Sequence, residues 1–131
     1  MKEYLHTLAL KVRDYECDLQ GIVNNANYQH YIEHARHEFL HAYGVSFADL
    51  HARGIDAVVA RINMQFKQPL TSGDEFFIGT NIKKDGLKYV FFQDIYRATD
   101  EKLVFSSEVT TVTLINGRLR DCEELNEKFG L

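Results

Sequence analysis

Hydrophobic and polar positions change their period twice along this chain. Residues 4–12 alternate, with Leu8, Leu10 and Val12 on one side and Thr7, Ala9 and Lys11 on the other, the period-two pattern of a half-buried strand. An acidic segment containing Asp14, Glu16 and Asp18 breaks the alternation, and the chain turns at Gly21. From about Asn25 to Tyr43, Tyr28, Tyr31, Ile32, Ala35, Phe39 and Ala42 recur at helical spacing and mark one broad buried stripe. That stripe predicts a long helix, ended by Gly44. Asn24 or Asn25 fits its N-cap, because a short polar side chain accepts from the free N–H groups of the first turn. Residues 46–53, closed by Gly54, predict a short second helix.

Alternation returns after Asp56. Strands are expected at about 57–68, 74–84, 88–98 and 102–115, separated by turns at 71–73, 85–86, 100–101 and 116–117. A short strand at Arg118 and Leu119 follows the last turn. Asp121 and Glu124 then have capping-box spacing, which predicts a terminal helix over 122–129. One strand, one long helix and a run of hairpin-linked strands describe an α+β domain, in which an antiparallel sheet covers the apolar face of a central helix.

A chain of 131 residues is the size of one domain, here residues 1–131, and its 45% hydrophobic and 26% charged composition is that of a folded globular protein. The formal net charge is −4 and the basic residues are dispersed, so no electrostatic footprint for nucleic acid is present. No apolar run approaches the ~20 residues of a membrane span, and the N-terminus lacks a signal-like core, so neither a membrane partner nor export is expected and the expected location is cytoplasmic. Cys17 and Cys122 lie far apart without CxxC spacing, a pattern of reduced thiols rather than of a bridge or a zinc site.

The candidate chemistry lies in the acidic segment. Asp18 sits in a glycine-containing loop between a strand and a helix start, where free N–H groups favour negative charge and can hold a developing oxyanion. Asp is also a common turn former, and Glu16 and Asp14 compete for the same role. His30, His34, His37 and His41 step by four, three and four along one helical face, roughly opposite the apolar stripe. No carboxylate stands squarely among them, so a solvated or subunit-facing stripe is the expectation and no metal is implied. Glu33 and Arg36 have the spacing of a helix ion pair, although a helical carboxylate could also serve as base. Lys83, Lys84 and Lys88 beside the Asp85–Gly86 turn, and Arg61, Lys67, Arg97 and Lys102 in the strands, read as solvated edge charges or as contacts for phosphates.

Residues 12–36 resemble the hotdog-fold acyl-CoA thioesterases of the 4-hydroxybenzoyl-CoA thioesterase type. The signature V-R-x-x-E/D-x-D-x-x-G-V/I-V, followed by N-Y-x-x-Y-x-E-x-A-R, is met by Val12, Arg13, Glu16, Asp18, Gly21, Ile22, Val23, Asn27, Tyr28, Tyr31, Glu33, Ala35 and Arg36. Residues 63–74 resemble a second family segment. The resemblance implies a hotdog fold and hydrolysis of an acyl-CoA thioester, with an acyl-carrier-protein thioesterase or a non-catalytic thioester-binding module as the alternatives. It makes Asp18 the catalytic carboxylate, as general base or nucleophile. It places the backbone N–H of Asn25 against the thioester carbonyl, with Asn24 and Tyr28 as candidate substrate contacts. It implies no cofactor, and a homodimer that in relatives often stacks into a homotetramer, with active sites at the dimer interface.

Overall fold

The computed structural model describes residues 2–131. Its elements are strand β1 (His6–Lys11), a 3-10 turn (Asp14–Glu16), helices α1 (Asn25–Ala42) and α2 (Phe47–Ala52), strands β2 (Ile55–Phe66), β3 (Glu75–Asp85), β4 (Lys88–Arg97), β5 (Leu103–Ile115) and β6 (Arg118–Leu119), and helix α3 (Glu123–Phe129). Each helix and strand expected from the periodicity is present, with ends displaced by two residues or fewer. The displacement of β2, by two residues at each end, has a local cause. Gly54 adopts φ +79°, a left-handed conformation, and a Cβ there would lie 2.3 Å from Asn116 Oδ1, so the chain turns sharply and pairing starts at once with Ile55. At the other end Lys67 and Gln68 both donate to the Val104 carbonyl, which takes them out of the ladder ahead of Pro69.

The sheet is antiparallel throughout, in the order β1-β3-β4-β5-β2, with β6 added to β5. It curls around α1, which is the hotdog arrangement. Phe76, Ile78, Ile82, Phe91, Ile95, Phe105 and Val109 are buried on the strands, and α1 supplies Tyr28, Tyr31, Ile32, Ala35, Phe39 and Leu40. Phe39 is fully buried, edge-on to Phe91 and stacked on Phe129 of α3. Burial of such a side chain contributes roughly 1.5–3 kcal/mol. At the N-terminal end of α1, Tyr28 stacks on Phe105 with ring centroids 5.2 Å apart, and Tyr31 lies 4.8 Å from Phe76.

The predicted capping box of α3 does not form. The N-cap is Cys122, which makes no side-chain cap bond. Asp121 instead takes Lys84 Nζ at 2.5 Å and Asn126 Nδ2 at 3.0 Å, and Glu124 takes the Arg53 guanidinium at 2.8 and 2.7 Å. Partners from β3 and the end of α2 therefore tether α3 across the fold. The sheet ends on one side in β1 and on the other in β2, a 12-residue edge strand carrying exposed Val58, Val59 and Phe66. Among the described residues, no helix is long and apolar enough to cross a membrane.

Candidate active site

Asn24 is the N-cap of α1: its Oδ1 accepts from the Ala26 N–H at 3.0 Å. Asn25 is the first helical residue, exposed, and its N–H has no hydrogen-bond acceptor among the described residues. An unpaired N–H on an exposed residue at the positive end of an 18-residue helix is a ready donor for a developing oxyanion.

The acidic segment meets this end of the helix through backbone pairing. Cys17 bridges Val23, Asp18 N–H donates to the Ile22 carbonyl at 2.9 Å, and Ile22 bridges Thr71. Residue 18 is thus one step along the chain from a residue paired next to Asn24. Asp18 is exposed; its Oδ1 accepts from the Gln20 N–H at 2.8 Å, while no partner engages Oδ2 among the described residues. One carboxylate oxygen closes the turn and the other faces solvent, so the turn-forming and chemical readings of Asp18 are compatible.

Glu16 and Asp14 are committed elsewhere. Glu16 is buried, and its Oε1 accepts from the Arg13 N–H at 2.8 Å and from the Tyr31 hydroxyl at 2.9 Å. Its backbone carbonyl accepts from the Asn24 N–H at 3.0 Å and from Asn27 Nδ2 at 2.8 Å, which fixes the start of α1 to the acidic turn. Burial first, and then the bond to Glu16, drive the Tyr31 pKa far above that of a free phenol, so Tyr31 stays a donor. Asp14 accepts from the Ser72 hydroxyl. Glu16 therefore ties the acidic turn to the helix start, and one of its carboxylate oxygens is already taken by two donors. Its place in the V-R-x-x-E pattern was the one signal that could have marked it. The pKa of the neighbouring Cys17 thiol is raised by desolvation and then by the charges of Asp14 and Asp18.

Beside the helix start lies a shallow pocket of about 180 Å³, lined among others by Val23, Asn25, Tyr28, Phe66, Lys67 and Pro69. Tyr28 is buried and its hydroxyl accepts from the Leu70 N–H at 3.2 Å, so it forms a wall of this pocket with its polar end already engaged. Lys67 is exposed at the rim.

The expected Glu33–Arg36 ion pair is absent. Arg36 turns into the core, where Nη1 donates to Gln93 Oε1 at 3.1 Å, while Glu33 remains exposed. Gln93 is fully buried and donates to the Ile32 carbonyl at 2.9 Å and to Thr80 Oγ1 at 3.2 Å. Spacing alone could not distinguish an arginine that pairs along its helix from one that reaches across to the sheet. The four histidines of α1 are all exposed, and no group of three or more metal-ligating side chains gathers among the described residues.

The sequence profile of the thioesterase-like superfamily matches residues 12–129. The chain belongs to the thioesterase-like superfamily. The match covers the acidic turn, the helix start and every strand of the sheet except β1. Among curated relatives, the chain is 34% identical over 117 residues to a chloroplastic acyl-acyl carrier protein thioesterase of Arabidopsis thaliana, covering 88% of this chain and 61% of that one. It is 29% identical over 106 residues to a long-chain acyl-CoA thioesterase of Escherichia coli, covering 80% of each chain. The chain thus spans about six-tenths of the length of the Arabidopsis relative. In fold it is similar to the crystal structure of a 1,4-dihydroxy-2-naphthoyl-CoA thioesterase from Synechocystis, with a TM-score of 0.89, 14% identity and coverage of 95% of this chain and 94% of that one.

Proposed function

We propose that this protein hydrolyses acyl thioesters, with Asp18 as the catalytic carboxylate and the Asn25 N–H as the donor that polarises the thioester carbonyl. The observation that carries the reading is the free N–H of Asn25 beside a turn that leaves one oxygen of Asp18 open, in a chain of the thioesterase-like superfamily. As the carbonyl becomes tetrahedral, negative charge develops on its oxygen, and the helix end stabilises that charge without having to reorganise. Asp18 either takes a proton from the attacking water or attacks directly to give a mixed anhydride that water then opens. Asn24 holds the helix start, and Tyr28 shapes the wall of the pocket, where an acyl group or the thiol arm would lie.

The carrier is coenzyme A in the first reading, and a 4-hydroxybenzoyl-CoA thioesterase-like arrangement of carboxylate and helix N–H is part of it. An acyl carrier protein is the second, favoured by the 34% identity to the Arabidopsis acyl-acyl carrier protein thioesterase. Comparing kcat/KM for one acyl group on the two carriers decides between them. A homodimer through β2 belongs to the same proposal: its outer edge has unpaired backbone groups over 12 residues, with exposed apolar side chains along it.

Asp18→Asn is nearly isosteric and lacks the basic oxygen, so kcat on a hydrolysed acyl-CoA should fall roughly 10²–10⁴-fold, the scale for losing a positioned acid–base group. KM should change little. An Asp18→Asn protein as fast as wild type, with Glu33→Gln inactive, would move the base to the helix. Equal rates in both variants and in wild type, at the level of uncatalysed hydrolysis, would leave a binding module.

A further inference from the structure

A second cavity, of about 190 Å³, lies under α2 and α3, away from the Asp18 turn. Its walls are apolar, formed chiefly by Leu40, Val45, Leu50, Phe91, Leu125 and Phe129. Arg36 opens onto it. The residue is 7% exposed, its guanidinium makes one hydrogen bond, to Gln93, and no carboxylate lies within 4.0 Å of it among the described residues. Burial lowers its pKa, but a guanidinium stays charged in a protein.

The remaining donors of Arg36 have no protein acceptor among the described residues, and an anion that brings its own hydrogen-bond acceptors would satisfy them beside the apolar walls. Neighbouring groups do not supply one. Gln93 is neutral and its amide is fixed by Ile32 and Thr80. Thr111 Oγ1 is spent on the Tyr89 carbonyl, and the Tyr89 hydroxyl on α3. Glu33 lines the cavity and favours the charged form of Arg36 from a distance, but it is exposed and makes no ion pair within 4.0 Å. His37, also on the wall, has its pKa lowered chiefly by burial, and its ring can donate a hydrogen bond to a ligand in the cavity.

We propose that this cavity is a binding site for a small carboxylic acid with an apolar body, its carboxylate on Arg36 and its body among the side chains under α3. A carboxylate matches the planar fork of a guanidinium, and the apolar walls require the rest of the ligand to be hydrocarbon. Volume sets the size. An apolar cavity of about 150 Å³ admits benzene, and drug-sized ligands need about 300 Å³ or more, so 190 Å³ fits an acid such as benzoate or hexanoate rather than a long-chain acid. Such an acid is of the class that thioester hydrolysis releases; only that link rests on the proposed function, and the binding itself does not.

The test is direct binding by calorimetry to the whole chain near neutral pH, with no thioester present, so it is read independently of any result on Asp18→Asn. Hexanoate and benzoate should saturate one site per chain. Hexanol, equal in body but without the charge, should bind about 10–100-fold more weakly, the scale of a charge-assisted hydrogen bond. Arg36→Gln should weaken hexanoate by a similar factor while leaving hexanol unchanged. Ala57→Leu, which adds bulk to the cavity wall from β2, should weaken both. If Arg36→Gln does not fold, the comparison of hexanoate with hexanol on the native protein carries the test alone. Equal affinity for the two, no saturation by either acid, or hexanoate binding unchanged in Ala57→Leu would overturn the proposal.

Discussion

Glu16 is where the fold and the candidate site are joined, and its removal gives a prediction with a definite size. In Glu16→Ala the Tyr31 hydroxyl, on a residue 6% exposed, loses its acceptor at 2.9 Å, and the Arg13 N–H loses its acceptor at 2.8 Å. A buried donor left unpaired costs about 1–3 kcal/mol, and bonds to a charged acceptor lie in the upper part of the hydrogen-bond range. The Arg13 guanidinium, 3.7 Å from Oε2 but with a side chain 60% exposed, adds little. The expected loss is therefore about 2–3 kcal/mol. For a domain of this length that corresponds to a fall in Tm of roughly 6–15 °C. Glu16→Gln keeps an acceptor and should lose about 1 kcal/mol or less. Tyr31→Phe removes the donor with the acceptor still served by Arg13, and in a double-mutant cycle it should recover much of the Glu16→Ala loss. Because the Glu16 backbone also holds Asn24 and Asn27, kcat of folded Glu16→Ala should fall less than that of Asp18→Asn. Urea titration and thermal melts of the four proteins measure the cycle. Strict additivity of Glu16→Ala and Tyr31→Phe, or a Glu16→Gln enzyme as inactive as Asp18→Asn, would refute the positioning role.

The tether of α3 is expected to depend on pH. The Asp121 carboxyl is held below its ordinary 3.8 chiefly by the bond from Lys84, and that of Glu124 below its ordinary 4.5 chiefly by Arg53. Both folded values are depressed, so the docking contribution is complete above those ordinary values and is lost as pH falls through the depressed ones. Hydrogen exchange should show α3 amides losing protection in acid before those of β3–β5, and protection unchanged there would count against it. Gly79 lies under the Tyr4 ring, and a Cβ at that position would lie 2.5 Å from it. Gly79→Ala should thus cost about 1–3 kcal/mol by overpacking, and much less in a Tyr4→Ala background, as chemical denaturation of the two pairs would show. Pairing along β2 should give a dimer in sedimentation at micromolar protein, and Val59→Lys on that strand should shift it towards monomer; a fully active wild-type monomer would remove the dimer from the mechanism.

Much of the fold is written locally. The apolar stripe of Tyr28, Tyr31, Ile32, Ala35 and Phe39 needs only the helical period to declare one buried face, and alternation in β3–β5 needs only the period of two. Asn24 was one of two cap candidates, and the direction of its side chain towards Ala26 chose it. The acidic segment and the start of α1 are close in the sequence, and the pairing of Cys17 with Val23 joins them in the fold. What one-dimensional spacing could not decide is which of several equivalent polar groups finds a partner from a distant element. Glu16 is buried because Tyr31 returns a hydroxyl to it from 15 residues on, and Arg36 leaves Glu33 for Gln93, 57 residues away. Asp121 and Glu124 give up a cap for Lys84 and Arg53. Asp121 and Glu124 pair on the surface, with partners that only the fold brings within reach. For Glu16 and Arg36, a local pairing on the surface is worth about a few tenths of a kcal/mol, whereas a polar group carried into the interior must be satisfied or cost several times as much. Burial therefore overrides spacing, and burial belongs to the tertiary structure.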